Sequence, residues 1–298
     1  MKVAGAPISW GVSELADWGY RMDPERVLAE MRGIGLEATE LGPPGYLPRD
    51  AASRRAVLAR HGMRLVAGFV AVVLHEKGAR ALREIAEQAA SLAESGAETV
   101  VLAAALPGGG YDVDRCLAER EWAEMAAVLD LAEDAVAARG LKLAFHPHAG
   151  TAVAARDDVD RLLRTTDVDI CLDTGHLYLG GSDPVEVARE AGTRVTHVHL
   201  KDVDGRVARR VRSGEVTYAQ GVREGLYRPL GQGDLDVEAV VSRIQESGYR
   251  GWFVLEQDTA LTAEPDRTHG PAEAARQSLD HFRRITSAKQ TTNASKED

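Results

Sequence analysis

Cysteine is nearly absent: Cys116 and Cys171 are the only two in 298 residues. They lie too far apart for a disulfide framework or a cysteine zinc site, and read as small core fillers in a reducing compartment. Long apolar runs are missing as well. No stretch reaches the roughly 20 residues that a bilayer-crossing helix needs, and Met1-Lys2-Val3 enters a short β-like run without a signal-peptide core. No membrane partner is therefore expected, and the cytoplasm is the expected compartment. Positive charge is in deficit, with 36 Lys+Arg against 46 Asp+Glu and a net charge of −10. Such a field repels polyanions, so nucleic acid is not an expected partner either.

What the chain does carry is an alternation of short apolar runs with amphipathic stretches, the pattern of βα units around a parallel sheet. The runs lie near Val3–Ile8, Ala38–Leu41, Leu65–Val70, Thr99–Ala103, Leu141–Phe145, Asp169–Leu172, Val195–Leu200 and Trp252–Leu255. Eight runs in a chain of this length predict a single-domain α/β fold, a (β/α)8 TIM barrel, over residues 1–285. From Thr286 to Asp298 the sequence is polar without apolar period, so a solvated, disordered tail is expected over 286–298.

Helix signals fill the intervals. Asp23-Pro24 and Asp183-Pro184 each offer an N-cap followed by proline at the first helical position. Leu82, Ile85, Ala89 and Leu92 form one apolar stripe ending at Gly96, and Trp122, Met125, Leu129, Ala132 and Val136 another ending at Gly140. Both read as packing faces. One connection breaks the rhythm: between Leu200 and a helix starting near Val237 lies a long polar segment with Arg209, Arg210, Arg212 and Arg223. At the C-terminal mouth of a barrel it is either a substrate lid or a solvated flexible insertion.

Histidine is scarce, nine in all, yet His146, His148, His176, His197 and His199 fall on or just after three consecutive expected strands. The fifth strand runs out as Phe145-His146-Pro147-His148, the sixth as Leu172-Asp173-Thr174-Gly175-His176, the seventh as His197-Val198-His199-Leu200-Lys201-Asp202 and the eighth as Leu255-Glu256. In a barrel those ends converge. One inward group per strand gives His146, Asp173, His199 and Glu256 as metal ligands, with His148 as an alternative to His146 and His197 to His199. His197 and His199 point the same way, and the one nearer the mouth is the expected ligand. Two imidazoles with two carboxylates suit Mn²⁺, Co²⁺, Fe²⁺ or Zn²⁺, whereas Mg²⁺ prefers an all-oxygen shell.

These strand ends resemble the xylose-isomerase-like barrel superfamily, the sugar isomerase and epimerase group, over nearly the whole chain to about Ile285. Within it, Ala6-Pro7-Ile8-Ser9-Trp10-Gly11, Glu40-Leu41-Gly42 and Phe145-His146-Pro147-His148-Ala149-Gly150-Thr151 are most similar to the inosose dehydratases of inositol catabolism. The resemblance implies dehydration of 2-keto-myo-inositol to a trihydroxycyclohexanedione with Mn²⁺ or Co²⁺ as cofactor. Most superfamily members carry glutamate where His146 stands, and the epimerases use two glutamates on opposite sides of the substrate carbon. A metal-bound imidazole cannot also accept a proton, which disfavours two-sided proton exchange and is compatible with elimination.

In that chemistry Glu256 is the first choice of base and His148 the second. His176 donates to the leaving hydroxyl or holds a substrate oxygen. Lys201 anchors the enolate or pairs with Asp202 or Glu256. Trp10 walls the polyol ring or packs the barrel top, and Glu40 accepts substrate hydroxyls or bonds a neighbouring loop. The rivals are a keto-sugar isomerase or epimerase on the same metal site, a dehydroshikimate dehydratase, and a polyol-binding or subunit protein without catalysis. An abasic-site endonuclease is disfavoured, because Gly231-Gln232-Gly233-Asp234 lacks the histidine of that group. Subunit number is left open, and a homo-oligomer is compatible with the sequence.

Overall fold

The computed structural model describes residues 1–294 except 16, 109, 114 and 267–269, with side chains omitted over 288–294. Each apolar run overlaps a strand: β1 (Lys2–Gly5), β2 (Ala38–Glu40), β3 (Arg64–Val72), β4 (Thr99–Ala104), β5 (Lys142–Phe145), β6 (Ile170–Asp173), β7 (Val195–Leu200) and, after a ribbon of β8 (Asp202–Val203) and β9 (Tyr227–Arg228), β10 (Trp252–Leu255). The eight longer-range partners are all parallel and close in the order β1-β10-β7-β6-β5-β4-β3-β2, a TIM barrel. Around it run α1 (Pro24–Gly33), α2 (Ala51–Arg60), α3 (Gly78–Glu94), α4 (Glu119–Ala137), α5 (Arg156–Thr165), α6 (Thr174–Leu179), α7 (Pro184–Ala191), α8 (Gly205–Arg212), α9 (Tyr218–Arg223), α10 (Val237–Glu246) and α11 (Pro271–Ala294).

The caps work as their residue types require. Asp23 accepts from the Glu25 and Arg26 amides, and Asp183 from the Val185 amide, each with proline opening the helix. On α3 the buried face is Ala81, Ile85, Ala89 and Leu92, with Leu82 only partly covered. Burying each such Ile or Leu contributes about 1.5–3 kcal/mol.

Period-2 alternation sorts the strand residues. Leu143, Phe145, Ile170, Leu172, Val198, Leu200, Phe253 and Leu255 pack outward beneath the helices, while Ala144, Cys171, Trp252 and Val254 fill the barrel interior with Ala4 and Ala38. The small residues among these leave room above them for polar side chains. Among the described residues no helix is long and apolar enough to cross a membrane.

Three expectations change. Cys171 is buried, but Cys116 is exposed and fills no core. The segment after β7 is no solvated insertion: α8, α9 and the ribbon close over a cluster of Val203, Val207, Tyr218, Val222, Leu226 and Tyr227. Finally, the expected tail begins inside a helix. Leu279, Phe282 and Ile285 dock α11, Thr286 is buried with its hydroxyl on the Phe282 carbonyl at 2.9 Å, and the helix continues to Ala294. Once a helix is anchored, each further polar residue extends it without a new nucleation cost. Residues 295–298 of that expected tail lie outside the described residues.

The thiols give a direct check. Burial pushes Cys171 up to about 11, so we expect a neutral-pH thiol reagent to modify one cysteine per native chain, Cys116, and both after denaturation. Two equivalents in the native state would contradict this packing.

Candidate active site

The mouth is built by the same alternation that fills the barrel. Asp173 follows inward Cys171 on β6, His199 follows His197 on β7, Glu256 follows Val254 beyond β10, and His146 follows Ala144 beyond β5. Register places Asp173 beside His199 and Val254 beside His199. All four mouth groups are buried, and they meet: His199 Nδ1 lies 3.5 Å from both Asp173 Oδ2 and Glu256 Oε2, and His146 Nε2 lies 3.7 Å from Asp173 Oδ2.

Hydrogen bonds on the far side of each group decide what faces the centre. Asp173 Oδ1 caps α6 by accepting the Gly175 and His176 amides at 2.8 Å, which leaves Oδ2 to face the centre, where it accepts from Lys201 Nζ at 3.0 Å. Gly175 is required there, since a Cβ would stand 2.7 Å from the Tyr227 ring and 2.8 Å from Lys201 Cδ. His146 Nδ1 bonds the Pro147 carbonyl at 2.8 Å, so it carries the proton and Nε2 presents a lone pair. His199 Nε2 bonds Glu40 Oε1 at 2.9 Å, and His199 Nδ1 is buried with no hydrogen-bond partner. Imidazole nitrogens and carboxylate oxygens thus face one another, a donor set that fits a divalent cation. Asp173, His199 and Glu256 form one such group, and its ligand atoms lie within 4.8 Å of one another.

The titration shifts follow the same charges. Burial alone would lower His199, but Cys171, Glu256 and Glu40 hold it well above the usual imidazole range. Asp173 is held well below the carboxylate range, with the Lys201 ammonium overcoming its burial, whereas burial raises Glu256. Burial lowers His146, His148 and His176, which are therefore neutral.

His148 and His176 form a second arrangement. Their rings lie 3.7 Å apart between centroids, and one peptide unit bonds both: the Ala149 carbonyl accepts from His148 Nδ1 at 2.8 Å, while the Ala149 amide donates to His176 Nδ1 at 3.3 Å. His148 thereby holds a lone pair at Nε2. His176 holds a proton at Nε2, and that buried N–H has no partner. The loop carrying this unit is fixed by Gly150, at φ +74 and so close to its neighbour that a Cβ would lie 2.4 Å from the Gly110 carbonyl.

Other expected site residues fall differently. Trp10 is not a wall of the site: it is fully buried in the core and its Nε1 donates to Glu30 at 2.9 Å. The short 3-10 turn Pro7–Trp10 after β1 turns the indole away from the mouth. Glu40 lines the cavity, but one of its oxygens already receives His197 at 2.7 Å and His199 at 2.9 Å, which hold it well below the usual carboxylate range against its burial. It supports the imidazoles, and among the described residues no loop group bonds its carboxylate. His197 sits one step deeper than His199, as its register implies.

Lys201 pairs with Asp173, Glu256 and Asp258 and not with Asp202. Asp202 instead receives the amides of Val203, Gly231, Gly233 and Leu235, which is what the Gly231-Gln232-Gly233 stretch is for. The arginines of the insertion face away from the site. Arg209, Arg212 and Arg223 are exposed, and Arg210 pairs with Glu215 and Glu224.

The cavity at the mouth measures about 310 Å³ and is lined by Phe69, Tyr111, His146, His148, Lys201 and Glu256, among others. Two larger grooves lie away from the histidines, one between α5 and α7 and one under the N-terminal ends of the strands. Four contributors went unread in the sequence. Tyr111 stacks on Tyr218 at 4.7 Å between centroids, Tyr218 donates to Asp258 at 2.6 Å, and Tyr227 lies within 3.0 Å of the Tyr218 hydroxyl. Asp258 had a signal, because it stands two residues beyond Glu256. The tyrosines had only their isolation in Gly- or Arg-rich segments.

The profile of the xylose isomerase-like TIM barrel matches residues 28–285. The chain belongs to the xylose isomerase-like TIM barrel family. It is similar to two curated relatives: the rhizopine catabolism protein MocC of Rhizobium meliloti, 33% identical over 298 residues covering 97% of this chain and 89% of that one, and an inosose dehydratase of Geobacillus thermodenitrificans, 30% identical over 277 residues covering 88% and 91%. Among solved structures, the IolI protein with a binding zinc atom has a TM-score of 0.67 at 17% identity, covering 97% of this chain and 99% of that one. At that identity the likeness is one of fold. Within this family fold, the geometry above puts the convergent imidazoles and carboxylates at the C-terminal mouth of the barrel, where TIM-barrel active sites lie.

Proposed function

We propose that this protein is a metal-dependent dehydratase of inositol catabolism, converting 2-keto-myo-inositol to a trihydroxycyclohexane-1,2-dione and water. The observation that carries the reading is the Ala149 peptide unit, which gives two adjacent, neutral imidazoles opposite tautomers beside a cation-fitting cluster. Elimination next to a ketone needs one proton acceptor and one proton donor. The relatives named inosose dehydratase point to the same reaction class.

His146, Asp173, His199 and Glu256 would hold the ion, and two imidazoles with two carboxylates suit Mn²⁺ or Co²⁺. When bound, the ion polarises the substrate ketone as a Lewis acid. His148 Nε2 takes the α-proton. It is preferred to Glu256, which is assigned to the ion and whose Oε2 is only 2.5 Å from the Lys201 ammonium. His176 Nε2–H donates to the departing hydroxyl, and Lys201 contributes positive charge where the ketone oxygen gains electron density. Carboxylates of Glu14, Glu40, Glu84, Glu256 and Asp258 line the cavity with Lys201, and no arginine lines it among the described residues. That lining favours a neutral polyol ketone over a phosphorylated sugar or dehydroshikimate.

Incubation of the Mn²⁺-loaded protein with 2-keto-myo-inositol tests the reading. Rising ultraviolet absorbance from the unsaturated dione is expected. A silent spectrum with an isomeric product would replace it with the keto-sugar isomerase or epimerase, and turnover of dehydroshikimate in a parallel assay would replace the substrate.

A further inference from the structure

Lys201 competes for the oxygens that a metal ion needs. Its Nζ lies 3.0 Å from Asp173 Oδ2 and 2.5 Å from Glu256 Oε2, the same two oxygens that face the unpartnered His199 Nδ1. An ion using them removes two of the ammonium's partners and sets like charge beside it. In a buried site water cannot screen that repulsion, and Lys201 is too deeply buried to reach solvent. It needs a counter-ion that the metal does not claim.

Asp258 is placed to be that counter-ion. Its Oδ1 lies 3.2 Å from Nζ yet is buried without a hydrogen bond. Its Oδ2 accepts from the Tyr218 hydroxyl at 2.6 Å, so the carboxylate is held by the insertion and not by the metal ligands. The Tyr227 ring adds a face 5.6 Å from Nζ. Three carboxylates therefore share one ammonium, which leaves two negative charges for a divalent ion to balance.

We propose that Asp258 is the positioning residue onto which Lys201 shifts when a divalent cation occupies the site, so that Asp258, oriented by Tyr218, sets the affinity of the ion. The inference rests on the metal site proposed above, and its test reads metal binding and not turnover. Calorimetric titration of the metal-stripped protein with Mn²⁺ compares the wild type, Asp258→Asn, Lys201→Gln and the double variant. Asp258→Asn is expected to raise the Kd about tenfold or more, because the ammonium stays clamped on Asp173 and Glu256. In the Lys201→Gln background the same change is expected to alter Kd by less than about twofold. Tyr218→Phe keeps the ring and loses the hydroxyl, and is expected to weaken binding by a smaller factor.

Equal weakening by Asp258→Asn in both backgrounds, or none in either, overturns the proposal while leaving the metal site standing. Wild-type protein that binds no Mn²⁺ overturns the metal site and the proposal with it. Should the Lys201 variant fail to fold, a crystal structure of the Mn²⁺-loaded protein decides: Nζ on Asp258 supports the shift, and Nζ still on Glu256 refutes it.

Discussion

Asp173→Asn is expected to lower kcat/KM for 2-keto-myo-inositol by at least about 10³-fold, roughly 4 kcal/mol of transition-state stabilisation, and to abolish retention of Mn²⁺ through gel filtration. The two oxygens of Asp173 have separate duties. Oδ1 caps α6, and an asparagine carbonyl can accept the same Gly175 and His176 amides. Oδ2 faces His146, His199 and Lys201, where the amide brings donors and no charge. The helix should therefore persist while the cation site fails. Circular dichroism and a thermal melt check the first half, metal analysis and steady-state kinetics the second. Near-normal activity in a metal-free variant would remove the cation from the reaction.

The adjacent imidazoles of His148 and His176 make a prediction of comparable size with a sharper signature. His148→Asn and His176→Asn should each lower kcat by about 10²–10⁴-fold, but they should part company in D₂O. Without His148 the α-proton is not taken, so both elimination and deuterium incorporation into the ketone should stop. Without His176 the proton is still removed and returned, so deuterium should enter the substrate while dione formation stays slow. Incorporation surviving in the His148 variant would return the base role to Glu256. Metal content should be unchanged in both variants, since neither ring is assigned to the ion.

Much of this was legible in the sequence. The strands announced themselves because inward and outward positions alternate under helices that need apolar contacts. The parallel topology then forced the strand ends His146, Asp173, His199 and Glu256 to one rim. What stayed hidden depended on hydrogen bonds made across loops. No pattern of letters says that Trp10 turns back to Glu30, that Lys201 chooses Asp258 over Asp202, or that the Ala149 backbone fixes two tautomers. The arginines of the insertion dominate its composition, whereas its structure follows from a few apolar residues and two tyrosines, which overturns only the solvated alternative. The end of α11 is polar and without apolar period, and its helicity follows from Leu279, Phe282 and Ile285 docked upstream, which its own letters do not show.

Tyr218 and Tyr227 reach the mouth from an excursion with an apolar cluster of its own, while the proposed ligands all stand on or directly after barrel strands. The excursion therefore touches the strand-borne cluster at two points, the Asp258 carboxylate and the Lys201 ammonium, so a change of its tyrosines should be felt at the rim through that one ion pair.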